Sequence, residues 1–193
     1  MKAAVLYGKG NIAVEDRPVP KPQIDEILVR IKAASICGTD LHFFRGELPI
    51  KEPRVLGHDF SGVVEEIGKG VTMFRRGDRV TSEIMRYCGE CYYCLSGNYH
   101  LCVDNTFMGF EIDGAFQEYV TIPEKNVFKI PDGVSFEEAA ILEPVTVSLH
   151  AMDFIQPKLG DRVAVFGQGP IGLVYDQAAM LQGSQVIGID IQY

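Results

Sequence analysis

Cys88, Cys91, Cys94 and Cys102 stand in the order Cys-x2-Cys-x2-Cys-x7-Cys. Thiolates are soft ligands, and four of them on one loop can close a tetrahedral shell around zinc without a strand or helix to support it. Gly89 and Gly97 give the loop the flexible backbone that so tight a spacing needs. A shell filled by protein ligands has no open position, so this site is expected to hold a lobe in shape rather than to catalyse. An iron–sulfur cluster is the competing reading. The first gaps resemble ferredoxin spacing, but seven residues separate the last pair and no proline follows Cys102.

Two other segments carry residues of the same chemistry. The fifth cysteine opens Cys37-Gly-Thr-Asp-Leu-His42, and a histidine sits in Gly57-His58-Asp59. Singly each is weak, because a lone cysteine or histidine more often packs than reacts. Further on, Val163-Ala-Val-Phe166 leads into Gly167-Gln-Gly-Pro-Ile-Gly172, a glycine fingerprint placed after an apolar strand and before a helical run. In such a turn Gly167 allows the tight reversal, Gly169 lets a pyrophosphate approach, and Gly172 lets the helix pack closely. Pro170 and Ile171 open the helix whose amides face the phosphate. Asp190, at the end of the next strand, can accept from ribose hydroxyls and repel a 2'-phosphate, which favours NAD over NADP. A phosphate-free turn in some other open sheet is the alternative.

Taken together, Cys37 to His42, Gly57-His-Asp-Phe-Ser-Gly-Val-Val64, the cysteine loop, Gly77-Asp-Arg-Val80, Asp113-Gly-Ala-Phe-Gln-Glu-Tyr119 and Glu143-Pro144 resemble, in order and spacing, the zinc-dependent medium-chain alcohol and polyol dehydrogenases. The likeness covers practically the whole chain. It implies a mainly β, GroES-like catalytic domain over residues 1–155, then the first βαβ unit of a Rossmann domain over 156–193. It implies two zinc ions, one catalytic and one structural, with NAD as cofactor. Cys37 and His58 match the family's ligands of the catalytic zinc. The third ligand is a cysteine in the ethanol-type branch, and here no cysteine is left. Ile141-Leu-Glu-Pro144 matches the glutamate of the sorbitol-like and galactitol-phosphate-like branches, which makes Glu143 the expected ligand and a polyol's secondary alcohol the expected substrate. Asp59 departs from the family's glutamate. One methylene shorter, it stands as either a ligand or a group that holds a water. Thr39 and His42 match the positions that carry away the proton from a hydroxyl acidified by zinc, and Asp40 matches the carboxylate that orients the zinc histidine. Phe43 and Phe110 fall in the region of the substrate pocket.

The elements that must position these residues are legible in part. Short strands separated by glycine, proline and charged turns are expected at 3–7, 27–33, 61–67, 79–82 and 116–122. Ile27, Val29 and Ile31 alternate with Arg30 and Lys32, although Leu28 breaks the polar face. Ser135-Phe-Glu-Glu138 has the form of a capping box, so a helix is expected to start at 135 or 136, and Pro144 to interrupt or restart it. From Arg162 onward strand, turn, helix and strand form one βαβ unit.

Composition narrows the class further. The 193 residues are 47% hydrophobic and 23% charged, ordinary for a soluble globular protein. A formal net charge of −8 without a basic cluster speaks against nucleic acid. No apolar run is long enough for a membrane span or a secretory signal, so a cytoplasmic location is expected, with a homo-oligomer as the full-length form. The chain stops three residues past Asp190, where the family continues through the second half of its nucleotide fold. The expectation is therefore a truncated dehydrogenase that binds NAD weakly and turns over little alone. A zinc-stabilised binding module without catalysis is the rival from another class.

Overall fold

The computed structural model describes residues 1–191 and divides into two compact units, Met1–Ala140 and a second from Ile141 onward. The first unit carries β1 (Lys2–Gly8), β2 (Asn11–Asp16), β3 (Glu26–Ala34), α1 (Gly38–Phe44), β4 (Arg54–Val55), β5 (Phe60–Ile67), β6 (Arg79–Ser82), β7 (Met85–Arg86), α2 (Tyr92–Leu95), β8 (Thr106–Phe107), β9 (Tyr119–Pro123), β10 (Val127–Lys129) and α3 (Phe136–Ala139). The second carries α4 (Leu142–Ile155), β11 (Arg162–Phe166), α5 (Pro170–Leu181) and β12 (Gln185–Ile189). The second unit thus begins before α4, a helix that the sequence reading assigns to residues 1–155.

A five-stranded antiparallel sheet in the order β10-β6-β5-β3-β9 is the frame of the first unit, beside a three-stranded sheet β2-β1-β4. Ile27, Val29, Phe60, Val64, Val80, Met108, Val120 and Ile122 form its main core, as the alternation in β3 leads one to expect. Leu28 is buried too, so the polar face of β3 is interrupted there, and α3 packs against β3 and β5, where Ser61 Oγ donates to Phe136 O. The strand expected at 116–122 begins only at Tyr119. Residues 116–118 instead suture the two sheets: Ala4 N donates to Phe116 O at 2.8 Å, and Glu118 N to Lys2 O at 3.1 Å. Backbone groups committed to β1 cannot also extend the ladder of β9, and of these three residues Glu118 alone reaches β3, its carbonyl accepting from Ile31 N at 2.9 Å. β2 lay outside the sequence reading. It is an exposed edge held by its hairpin to β1, and its alternation is too weak to announce a strand.

The capping box is present: Ser135 N donates to Glu138 Oε2 at 2.7 Å and Glu138 N to Ser135 Oγ at 3.1 Å. α3 lasts one turn, and α4 then starts with Pro144 in its first turn, where a missing N–H costs nothing. In the second unit β11 and β12 pair in parallel, Val163 beside Val186. Met152 of α4 and Tyr175 and Ala179 of α5 form its small core against Val163, Val165 and Val186. Phe166 and Ile187 on the same two strands stay largely exposed.

Candidate functional site

The four cysteines converge. Cys88 Sγ lies 3.5 Å from Cys102 Sγ and 3.9 Å from Cys94 Sγ, and all four sulfurs lie within 4.8 Å of one another. Disulfide sulfurs would be about 2.05 Å apart. A tetrahedron with zinc–sulfur bonds of about 2.3 Å has an edge of about 3.8 Å, so the set fits zinc. Backbone amides already point at the sulfurs: Cys91 N donates to Cys88 Sγ at 3.4 Å and Cys88 N to Cys102 Sγ at 3.3 Å. The amides of Cys94 and Val103 bring the Cys91 thiol down to about 6, while burial pushes Cys94 up to about 12. Burial disfavours a bare thiolate at Cys94, a charge that a bound cation would neutralise.

The lobe is tied to the sheet by residues that no motif marks. Lys125 Nζ donates to the carbonyls of Tyr87 (2.6 Å) and Cys88 (3.4 Å) and sits 4.5 Å over the Tyr87 ring, which stacks on Tyr99. The fully buried Asn126 donates to Met85 O at 2.8 Å.

Cys37, His58 and Asp59 form the second cluster, with ligand atoms within 4.8 Å of one another. Cys37 is the residue before α1, and His58 and Asp59 lie in the turn between β4 and β5. His58 is 3% exposed and Asp59 4%. His58 Nε2 lies 3.8 Å from Asp59 Oδ1, close to the edge of about 3.4 Å that a tetrahedral site with bonds near 2.1 Å would give. Asp59 Oδ1 is buried without a hydrogen-bond partner. A buried orphan oxygen beside a thiol and an imidazole is the environment a divalent cation would satisfy. The His58 hydrogen bond holds the Cys37 thiol below its ordinary value. Burial alone would lower His58, but Cys37, Asp59 and Asp40 together raise it; Asp59 is itself raised, chiefly by burial.

Asp40 sits differently from the expectation. Its Oδ1 is 3.9 Å from His58 Nδ1, beyond hydrogen-bonding reach. Instead Oδ1 accepts from Gly57 N (3.0 Å) and Oδ2 from Cys37 N (2.9 Å), so one buried carboxylate clasps the backbones of both ligand segments. Thr39 Oγ1 lies 3.7 Å from Cys37 Sγ. His42, in the last turn of α1, is half exposed, with Nδ1 at 2.5 Å from Glu47 Oε2. Phe43 and Phe110 line a cleft with Ile50, Lys51 and Arg54, and the Phe110 ring lies 5.2 Å from the His58 ring.

Gly57 holds the turn before His58 at φ +87°, and a Cβ there would come within 2.4 Å of the Phe116 ring. Gly57→Ala is expected to cost roughly 2–4 kcal/mol from strain and overpacking together. Urea melts check this; an unchanged midpoint would show that the turn tolerates a side chain.

In the second unit Gly167 has φ +95°, and a Cβ on Gly172 would come within 1.9 Å of Gly167 O, so helix and turn touch there. Gly169 precedes α5 with open space before it, and Pro170 and Ile171 are the first two helical residues. Asp190, just past β12, reaches back so that Gln168 N donates to its Oδ2 at 2.6 Å. Glu143 is the second residue of α4, in this same unit. Sequence reasoning missed Glu47, Lys125, Asn126 and Ser35, the last of which donates its hydroxyl to Asp59 Oδ2 at 3.2 Å.

Comparison with known proteins agrees with this layout. The profile of the alcohol dehydrogenase GroES-like domain matches residues 23–132. Sorbitol dehydrogenase from Halalkalibacterium halodurans is 41% identical over 190 residues, covering 97% of this chain and 55% of that protein. Galactitol-1-phosphate dehydrogenase from Escherichia coli superimposes with a TM-score of 0.94 at 36% identity, over 100% of this chain and 56% of that one. A protein described as a zinc-binding dehydrogenase from Sinorhizobium meliloti, solved bound to NADP, does so with a TM-score of 0.91 at 40% identity, over 97% and 55%. The chain spans about half the length of the curated relatives it matches. With the family profile over more than half of its residues and the paired motifs gathered in one unit, the chain belongs to the zinc-dependent medium-chain dehydrogenases, the family of the alcohol dehydrogenase GroES-like domain.

Proposed function

We propose that this chain is part of a zinc-dependent oxidoreductase that oxidises a secondary alcohol of a polyol to a ketone with NAD as hydride acceptor. The convergence of Cys37, His58 and Asp59 carries this reading, because three ligands with room for a fourth is the composition of a catalytic rather than a structural zinc site. Zinc held there would supply Lewis acidity, bringing the substrate hydroxyl toward ionisation at neutral pH. Around it Asp40 fixes the spacing of the ligand segments, and the Thr39 hydroxyl, beside Cys37 Sγ, takes the substrate proton. His42 passes that proton to solvent; with Nδ1 engaged by Glu47, Nε2 is the atom that receives it. Phe110, against His58, excludes water from one side of the site. Glu143, on its Leu-Glu-Pro segment alone, is the alternative to Asp59 as third protein ligand, so that either way one position stays open. The four-cysteine loop holds the second zinc. The relatives' sorbitol and galactitol-phosphate names support a polyol as substrate. No helix among the described residues is long and apolar enough to cross a membrane. A cytoplasmic, homo-oligomeric full-length enzyme without nucleic-acid or membrane partners completes the reading.

Metal analysis together with turnover of a polyol panel tests it. Two zinc and no iron per chain, with oxidation of at least one polyol, is the expected result. Iron in the cysteine loop, or no polyol turned over by the full-length enzyme that contains this chain, would sink the proposal.

NAD is preferred to NADP because of Asp190, whose carboxylate is held against the glycine turn through Gln168 N. Asp190→Ser removes the charge facing a 2'-phosphate and should narrow the preference for NAD by about 10-fold, the value of one partly screened repulsion. Cofactor affinities measured by titration check it. An unchanged ratio places the discrimination elsewhere.

A further inference from the structure

We infer that Ser35 is the positioning residue that makes Asp59 a metal ligand, an assignment resting on the metal-centre reading above. An aspartate side chain is short, so its carboxylate reaches a neighbouring cluster only where it is held in place. Ser35 holds it twice. Its hydroxyl donates to Asp59 Oδ2 at 3.2 Å, and its backbone N–H donates to Asp59 O at 2.9 Å. Both bonds join the loop after β3 to the turn before β5, fixing backbone and carboxylate together.

The consequence falls on the other oxygen. With Oδ2 satisfied by the hydroxyl, Oδ1 is buried, has no hydrogen-bond partner, and lies 3.8 Å from His58 Nε2 within the Cys37–His58 cluster. A carboxylate free to rotate would turn both oxygens toward whatever donors the turn offers. Ser35 removes that freedom and leaves one oxygen directed at the place where the thiol and imidazole also converge. Hydrogen bonds of this kind to a ligand typically govern metal affinity by 10- to 100-fold. Ser35 also stands two residues before Cys37, so the segment that supplies the thiolate supplies the group that aims the carboxylate.

Cobalt(II) titration of the 193-residue chain, with zinc retained in the four-cysteine loop, tests this through the thiolate–cobalt absorption band and needs no turnover. Ser35→Ala should weaken cobalt binding by about 10-fold or more, and Ser35→Thr, which keeps the hydroxyl, should restore it. In an Asp59→Ala background, Ser35→Ala should have no further effect, which a general loosening of the fold would not reproduce. The assignment is overturned if Ser35→Ala binds cobalt like the parent, or if its loss persists undiminished without Asp59. Cys37→Ser gives the separate control: cobalt affinity unchanged there would overturn the metal-centre reading itself, and with it the role of Ser35.

Discussion

Cys94→Ser is expected to lose one zinc per chain and to unfold the loop between β7 and β8 while the five-stranded sheet stays folded. Cys94 is buried against three other sulfurs, and a serine hydroxyl there can neither give up its proton to zinc nor match the Cys94 volume. Four-thiolate zinc sites in small domains supply on the order of 10–16 kcal/mol of folding free energy at neutral pH, as much as a whole domain's stability. A loss of that size cannot be absorbed by packing. The lobe has little else, since Tyr92, Leu95 and Val103 are largely exposed and its helix is a single turn. The damage should stop at the root, where Lys125 grips the carbonyls of Tyr87 and Cys88 and Asn126 grips that of Met85. Limited proteolysis should therefore cut within residues 88–103 in the variant and leave the parent intact, with zinc content falling in step. A variant that keeps its second zinc and its protease resistance would remove the structural role from this loop.

What the sequence disclosed and what it concealed divide along contact range. The cysteine loop, the capping box of Ser135 and Glu138, and the turn from Gly167 to Gly172 are local patterns, in which the residues that interact are near neighbours; each occurs in the structure as spacing predicts. β6 and the βαβ strands were legible for the same reason, bounded by strong turn signals. The clasp of Asp40 on Gly57 N, the Ser35–Asp59 bond and the Lys125 grip on Tyr87 join residues 17, 24 and 38 positions apart. No periodicity encodes these pairs, because each depends on how the strands between them register. Segment 116–122 shows the limit in another way: it reads as one strand, yet Phe116 and Gln117 pair with β1 and Glu118 divides its backbone between Lys2 O and Ile31 N before the ladder with β3 begins at Tyr119. The role of Asp40 was assigned from its motif to a side chain, whereas the structure gives its oxygens to two backbone amides.

The second large effect is expected at Cys37. Cys37→Ser should remove the other zinc, leave the four-cysteine lobe and the sheet as they are, and reduce alcohol oxidation by about 1,000-fold or more, since metal polarisation contributes several kcal/mol and each 1.4 kcal/mol is a factor of ten. Fold and function separate here because the cluster is built unlike the loop. Its ligands come from two distant segments that Asp40 already joins through Cys37 N and Gly57 N, so the backbone does not depend on the metal to hold its shape. The same contrast orders the two sites under mild chelation. A closed shell of four thiolates in one loop exchanges slowly, whereas a site with an open position admits the chelator, so one zinc should leave first and turnover should vanish with it while circular dichroism is unchanged. Asp40→Asn sharpens the argument: it keeps an acceptor for one amide but weakens the charge-assisted clasp, and it should speed loss of this zinc without affecting the other. Metal counted against residual turnover along the chelation course decides the matter. If activity survives the loss of the first zinc, or if Cys37→Ser retains both ions, the reacting centre does not lie at Cys37 and His58.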